Sequence, residues 1–188
     1  MIIAREYRSL LSPDLAGWRM AGAGGFVARE DWVETQGGPG ILWYADQEFD
    51  DFVLRVRWRI TDGHANSGVF IRIPPLVDGD VQPALVDGYE VQIDDRGLDP
   101  ETGRLDSPLH LTGAIYRMAP AIANASGPVG TWNELEIAAN GATIETTLND
   151  VPVARLDRCR KRPRGHIGLQ AHHDGSIVQF QICEVRAL

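Results

Sequence analysis

Apolar residues recur at every second position over long stretches of this chain, and that period dictates extended strands rather than helices. Phe52, Leu54, Val56, Trp58 and Ile60 alternate with Val53, Arg55, Arg57 and Arg59. A strand points successive side chains to opposite faces, so this run reads as a strand with one face in a core and one wet. Val69, Ile71 and Ile73 form the apolar face of another, with Gly68, Phe70 and Arg72 opposite. Leu135 and Ile137 lead to Asn140-Gly141, a pair suited to a type I′ turn because both positions tolerate positive φ. Ile144 and Leu148 follow, then Asn149-Asp150 as a second tight turn into Val151 and Val153, giving a three-stranded meander. Ile167 and Leu169 open a further strand whose other face carries Gly168, Gln170 and His172, and Val178, Phe180 and Ile182 mark the last.

Helical periodicity is almost absent. Many short strands set off by Gly, Pro, Asn and Asp predict an all-β fold, a closed barrel or a two-sheet sandwich. The longest irregular stretches are Pro74 to Asp87, Asp95 to Leu109 and Ala119 to Gly130, lengths that usually serve as lids or rims. The chain shows no internal repeat and no interdomain linker, so 188 residues are expected to form one domain spanning 1–188.

The segment Gly88-Tyr89-Glu90-Val91-Gln92-Ile93-Asp94 carries the most chemistry. Tyr89, Val91 and Ile93 would face the core, leaving Glu90, Gln92 and Asp94 in one row on the opposite face. Carboxylates and amides in a row suit a carbohydrate, whose hydroxyls need such partners. An ordinary solvated strand face fits the same spacing.

Charge narrows the partners. With 26 acidic against 18 basic residues the net charge is -8, which disfavours a phosphate-binding surface and hence nucleic acid. The basic run from Arg155 to Arg164 lacks interleaved aromatics and reads as a solvated loop. Cys159 and Cys183 lack metal-ligand spacing. The N-terminal Met1 to Arg8 has no signal-like apolar run and nothing later is long enough to span a bilayer, so the expectation is a cytoplasmic protein without a membrane partner.

Several segments in order point to a family. Asn66-Ser67-Gly68-Val69-Phe70-Ile71-Arg72, the Gly88 to Asp94 strand, Thr112-Gly113-Ala114-Ile115-Tyr116, Gly130-Thr131-Trp132-Asn133, Leu148-Asn149 and Gly165-His166-Ile167-Gly168-Leu169-Gln170 together resemble the 3-keto-disaccharide hydrolase domain family. The likeness runs from about Trp18 to Leu188. Departures are Asp150 after the Leu-Asn turn, Phe180-Gln181-Ile182 near the C-terminus and Ala171-His172-His173 after Gly-Leu-Gln.

The resemblance implies a two-sheet antiparallel β-sandwich, a concanavalin A-like jelly roll, that cleaves glycosides oxidised to a ketone at sugar carbon 3. A carbonyl at C3 acidifies the C2 proton, so a general base can form an enolate and the C1 substituent can leave. A cation or an Arg facing the carbonyl would stabilise the enolate oxygen. On this reading Glu90 or Asp94 is the base, His172 an acid or metal ligand, and Tyr116 a second proton donor. Arg72, Gln92 and Gln170 would hold oxygens of the sugar, and Trp132 is a stacking ring or a core residue. No cofactor is required by this chemistry, and a divalent metal ion is compatible with it. The turn glycines and Asn66 read as structural.

Two alternatives share the fold. A non-catalytic carbohydrate-binding module needs the same groove without an acid or base. A laminarinase-type glycosidase needs paired carboxylates about 5 to 9 Å apart. Glu90 and Asp94 on a regular strand would be roughly 13 Å apart at about 3.3 Å per residue, which disfavours it.

Overall fold

A computed structural model describes residues 6–77 and 79–188 of the chain. The stretch read above for a signal peptide falls partly on residues 1–5, outside the described residues, as does residue 78. In chain order the elements are β1 (Arg8–Ser9), β2 (Trp18–Gly22), β3 (Gly25–Ala28), β4 (Val33–Gln36), β5 (Gly40–Tyr44), β6 (Phe52–Ile60) and β7 (Ser67–Ile73). There follow α1 (Gln82–Asp87), β8 (Tyr89–Ile93), β9 (Asn133–Asn140), β10 (Thr143–Leu148), β11 (Val151–Asp157), β12 (His166–Ala171) and β13 (Val178–Ala187).

The strands form two antiparallel sheets. One runs β11-β10-β9-β6-β13-β4-β3, with β1 added to β13; the other runs β2-β5-β12-β7-β8. Their facing sides make the core, where Leu54, Val56, Trp58, Leu135 and Ile137 join Val69, Ile71, Tyr89, Val91, Ile93 and Leu169 in one buried cluster. Burying these apolar faces from water is the main force holding the sheets together. The sandwich expected from the alternation is therefore present, and the β9–β10–β11 meander with it. Among the described residues no helix is long and apolar enough to cross a membrane.

A second, smaller cluster lies on the outer side of the five-stranded sheet. Ala21, Ile41, Trp43, Phe70, Ile73 and Leu76 are covered there by Ala84 and Val81. This is why Pro74 to Asp87 is not wholly irregular, as expected, but contains α1. Pro83 sits in its first turn, where the missing N–H costs nothing, and the helix buries Ala84 on the sheet. Six residues are too few to display a 3.6-residue period.

Other departures come from bulges and turns. In β7 a register shift opposite His166–Gly168 coincides with Arg72 at φ 53°, in the left-handed region. The strand parity flips there. Ile73 joins the outer cluster, and Arg72 turns away from the face carrying Phe70. A shift between Phe180 and Ile182 likewise puts Cys183, not Ile182, in the core. The β9–β10 hairpin pairs Asn140 with Thr143, so its turn is Gly141-Ala142 with positive φ at Gly141, the type II′ pattern. The type I′ pattern belongs to Asn149 and Asp150, whose φ values are 49° and 65°.

Candidate active site

A cavity of about 640 Å³ opens on the outer side of the five-stranded sheet, beside the α1 cluster. Its floor is built from β7, β8 and β12. Glu90 and Gln92 project from alternate positions of β8, Phe70 from β7 and Gln170 from β12, with Asn66 just before β7. The connection after β8 wraps back as an extra sheet edge: Gln92 N–H donates to Ala114 O (2.9 Å), Gly113 N–H to Gln92 O (2.9 Å) and Tyr116 N–H to Glu90 O (2.8 Å). Those bonds bring Tyr116 to the wall above Glu90.

Glu90 is the carboxyl of this cavity among the described residues. It opens onto the groove and is otherwise enclosed by protein. Desolvation pushes its pKa up to about 8, against the opposing pull of the Gln170 side chain and the Lys161 charge. Room for the carboxyl comes from Gly68, diagonally across on β7 where it pairs with Gln92: a Cβ there would collide with Glu90 Oε1.

Lys161 arrives from the loop between β11 and β12. Its N–H donates to the Tyr89 hydroxyl (2.7 Å), and its Nζ donates to Gly88 O (2.7 Å) and Leu85 O (3.2 Å). The ammonium thereby links α1 to the start of β8 and stands close enough to favour Glu90 ionisation. Burial lowers its own pKa, while Asp87 and Glu90 pull it back up.

Gln92 is held by a relay. Its Nε2 donates to Asn66 Oδ1 (3.2 Å), and Asn66 Nδ2 donates to Asp94 Oδ2 (3.2 Å). The relay fixes which end of each amide faces the groove. Asp94 itself is 0% exposed and does not line the cavity. Its oxygens accept the backbone N–H groups of Arg96 (3.0 Å) and Leu98 (3.3 Å), closing the turn that follows β8. The expected second candidate base is thus not a groove carboxylate: it closes the turn and holds Asn66.

Among the described residues, Gln170 keeps its Oε1 buried without a protein partner beside Glu90. An orphaned buried acceptor costs on the order of 1–3 kcal/mol, which a ligand hydroxyl would recover. His172, just past the end of β12, stands at the rim with Nδ1 2.7 Å from His173 Nδ1. Partial burial and the His173 charge lower its pKa, with Asp94 acting the other way, so the neutral ring is favoured. Tyr116 packs edge-on against His110 with centroids 5.1 Å apart and carries the Arg117 guanidinium 5.3 Å from its ring. Desolvation raises its pKa, opposed by Arg117 and reinforced by Glu90, so it remains a neutral phenol.

Two expected site residues lie elsewhere. Arg72 is 1% exposed and donates to Asp50 O (3.1 and 2.8 Å), Gly141 O (2.9 Å) and the Asp51 carboxylate (3.1 Å), pinning a loop and a hairpin of the other sheet. Trp132 precedes β9, stacked over Arg59 at 4.5 Å and Arg57 at 5.7 Å on the outer side of the eight-stranded sheet. Neither can touch a ligand in this groove. Among the described residues no three His, Cys, Asp or Glu side chains converge as a metal-binding group.

Residues 6–186 match the model of the 3-keto-alpha-glucoside-1,2-lyase-like domain. The chain belongs to this family. A curated relative is the 3-keto-disaccharide hydrolase of Bacteroides thetaiotaomicron, 26% identical over 123 residues. That match covers 62% of this chain and 42% of the relative, so the chain spans less than half of the relative's length. A candidate glycosyl hydrolase of Parabacteroides distasonis superimposes with a TM-score of 0.80 at 20% identity, covering 97% of this chain and 100% of that one. A carbohydrate-binding module of Bacillus subtilis superimposes at 0.63 with 14% identity, covering 91% and 96%. The lyase-like domain thus has a sandwich also used by sugar-binding proteins.

Within this lyase-like domain the groove brings together Glu90, Gln92, Gln170, His172 and Tyr116 of the residues expected from sequence. It adds Asn66, read above as structural, and Lys161, read as part of a solvated basic run. A polar side chain just before a groove strand was a usable signal for Asn66. Nothing in the sequence separates Lys161 from its basic neighbours.

Proposed function

We propose that this domain cleaves 3-keto glycosides by taking the proton from sugar C2 with Glu90. The observation that carries the reading is a single desolvated carboxyl, with its pKa near 8, in a family-matched groove lined by amides. A carboxylate of that pKa is a far stronger base than an exposed one, and roughly one-tenth of it is ionised at neutral pH, a fraction that grows as pH rises through about 8.

The sequence of bonds follows from the ketone. Glu90 removes the C2 proton, and the electron pair forms an enolate on the C3 oxygen. As the carbonyl reforms, a C1–C2 double bond forms and the bond from C1 to the leaving oxygen breaks. The leaving oxygen takes a proton from a neutral donor at the wall, the role suited to the Tyr116 phenol; His172, whose neutral ring is favoured, suits a hydrogen bond to a sugar oxygen instead. Water added across the double bond then gives the free 3-keto sugar. The Lys161 cation supports Glu90 ionisation and offers positive charge to the developing enolate. Gln92 and Gln170 supply donors and an acceptor for sugar oxygens.

A glycosidase with two carboxylates fits poorly, because Asp94 is buried in its own turn. A pure binding module would use the same floor but has no need of a carboxyl held at an elevated pKa. The test is to offer a 3-keto glycoside and its unoxidised parent in deuterated water. Aglycone release from the keto sugar alone, with deuterium appearing at C2 of the hydrated product, supports the reading. Tight sugar binding with no turnover of any keto substrate would replace it with the binding-module reading.

A further inference from the structure

Resting on the keto-glycoside reading, we infer that the leaving group this site accepts is an apolar alkyl or aryl aglycone rather than a second sugar. The cavity divides by chemistry. Its floor carries the carboxyl and carboxamide groups of Glu90, Gln92, Gln170 and Asn66. Its walls are contributed by α1 and the connections, and beside Tyr116, Arg117, Lys161 and the rim residue His172 they present the apolar side chains of Leu85, Leu98, Pro100, Met118 and Pro39. Leu85 and Met118 keep 42% and 38% of their surface exposed. Apolar area of this kind, contiguous with a polar floor, marks where a ligand is buried.

The floor holds sugar C2 at Glu90, so the substituent on the neighbouring C1 occupies the remaining volume between the walls. A second sugar ring placed there would strip water from several hydroxyls and set them against hydrocarbon, with few partners in return. Of the nearby cations, Arg117 donates to Glu101 (2.9 Å), and Lys161 gives two of its three ammonium N–H groups to carbonyl oxygens. An apolar aglycone covers the same wall residues and removes both surfaces from water.

The experiment uses ethyl, butyl and hexyl 3-keto glucosides of one anomeric form beside a 3-keto disaccharide. The leaving groups of the alkyl series are primary alkanols of closely similar acidity, so a trend reports binding rather than bond breaking. We expect kcat/KM to rise by about threefold to fourfold per added methylene until the walls are covered, and to exceed the disaccharide value. Leu85→Gln and Met118→Gln should flatten that slope. A flat series with the disaccharide as the best substrate overturns the inference. If no keto glycoside is turned over, the keto-glycoside reading fails, and calorimetry on the unoxidised alkyl glucosides then decides the aglycone question. Affinity rising with chain length upholds the apolar subsite, and affinity independent of chain length overturns it.

Discussion

Gly68 lies beneath the carboxyl of Glu90 across the β7–β8 pair, so close that a Cβ at position 68 would sit 2.9 Å from Glu90 Cγ and 3.0 Å from its Cδ. The glycine is needed for space and not for backbone shape, since Gly68 is absent from the residues of positive φ. Gly68→Ala should therefore fold with stability changed by less than about 1 kcal/mol, because the flexible end of Glu90 can move aside. The displaced carboxyl should cost turnover about tenfold or more. Thermal melting and kcat measured together check this, and a fully active Gly68→Ala would show that the position of Glu90 does not matter.

Lys161 tunes the same group from the other side. Removing its charge takes away a pull that favours Glu90 ionisation, so the pKa of Glu90 should climb further. In Lys161→Met the rising limb of kcat/KM should move to higher pH than in the wild type. A limb that stays in place or moves down would separate Lys161 from Glu90.

Stability should also report on Glu90. Its folded pKa of about 8 lies above the ordinary 4.5, so the folded protein holds this proton more tightly than the unfolded chain. The stabilising contribution is fully present below about pH 4.5 and is lost as pH rises through about 8. Glu90→Gln, which stays neutral, should lose that slope and gain in melting temperature relative to wild type on going from about pH 5 to about pH 9. Parallel melting curves at all pH values would contradict the shifted pKa.

Arg72 should matter to folding alone. Its guanidinium bonds to the Asp50 and Gly141 carbonyls and to Asp51 from a buried position, and Arg72→Met takes this donor from the two carbonyls and leaves Asp51 with the Gly141 N–H. A loss on the order of 2–4 kcal/mol is expected in denaturant unfolding, with kcat per folded molecule retained. Lost catalysis at retained stability would return Arg72 to the site.

The sandwich was legible because alternation along Phe52–Ile60 and Tyr89–Ile93 and the turn residues at 149–150 all agree on one answer. Parity, however, carries only as far as a strand stays regular. It places Glu90, Gln92 and Gln170 correctly on one face. It fails at Arg72, where a left-handed residue and a register shift swap the faces, and again at Ile182 beyond the β13 bulge. Asp94 lies one residue past the end of β8, where the chain already turns and draws the carboxylate into its own backbone. Lys161 and Leu85 reach the groove through a loop and a one-and-a-half-turn helix, whose placement depends on the outer apolar cluster rather than on any local pattern.

The central claim is that Glu90 is the base that takes the C2 proton. The most direct measurement is the pH dependence of kcat/KM for aglycone release from a 3-keto glycoside, comparing wild type with Glu90→Gln. The wild-type rate should rise with pH to a plateau above about 8, as the carboxyl ionises. Glu90→Gln should fall by about 10² to 10⁴ and lose that rising limb, with its fold intact. Wild-type rates in Glu90→Gln, with the limb still present, would contradict the assignment.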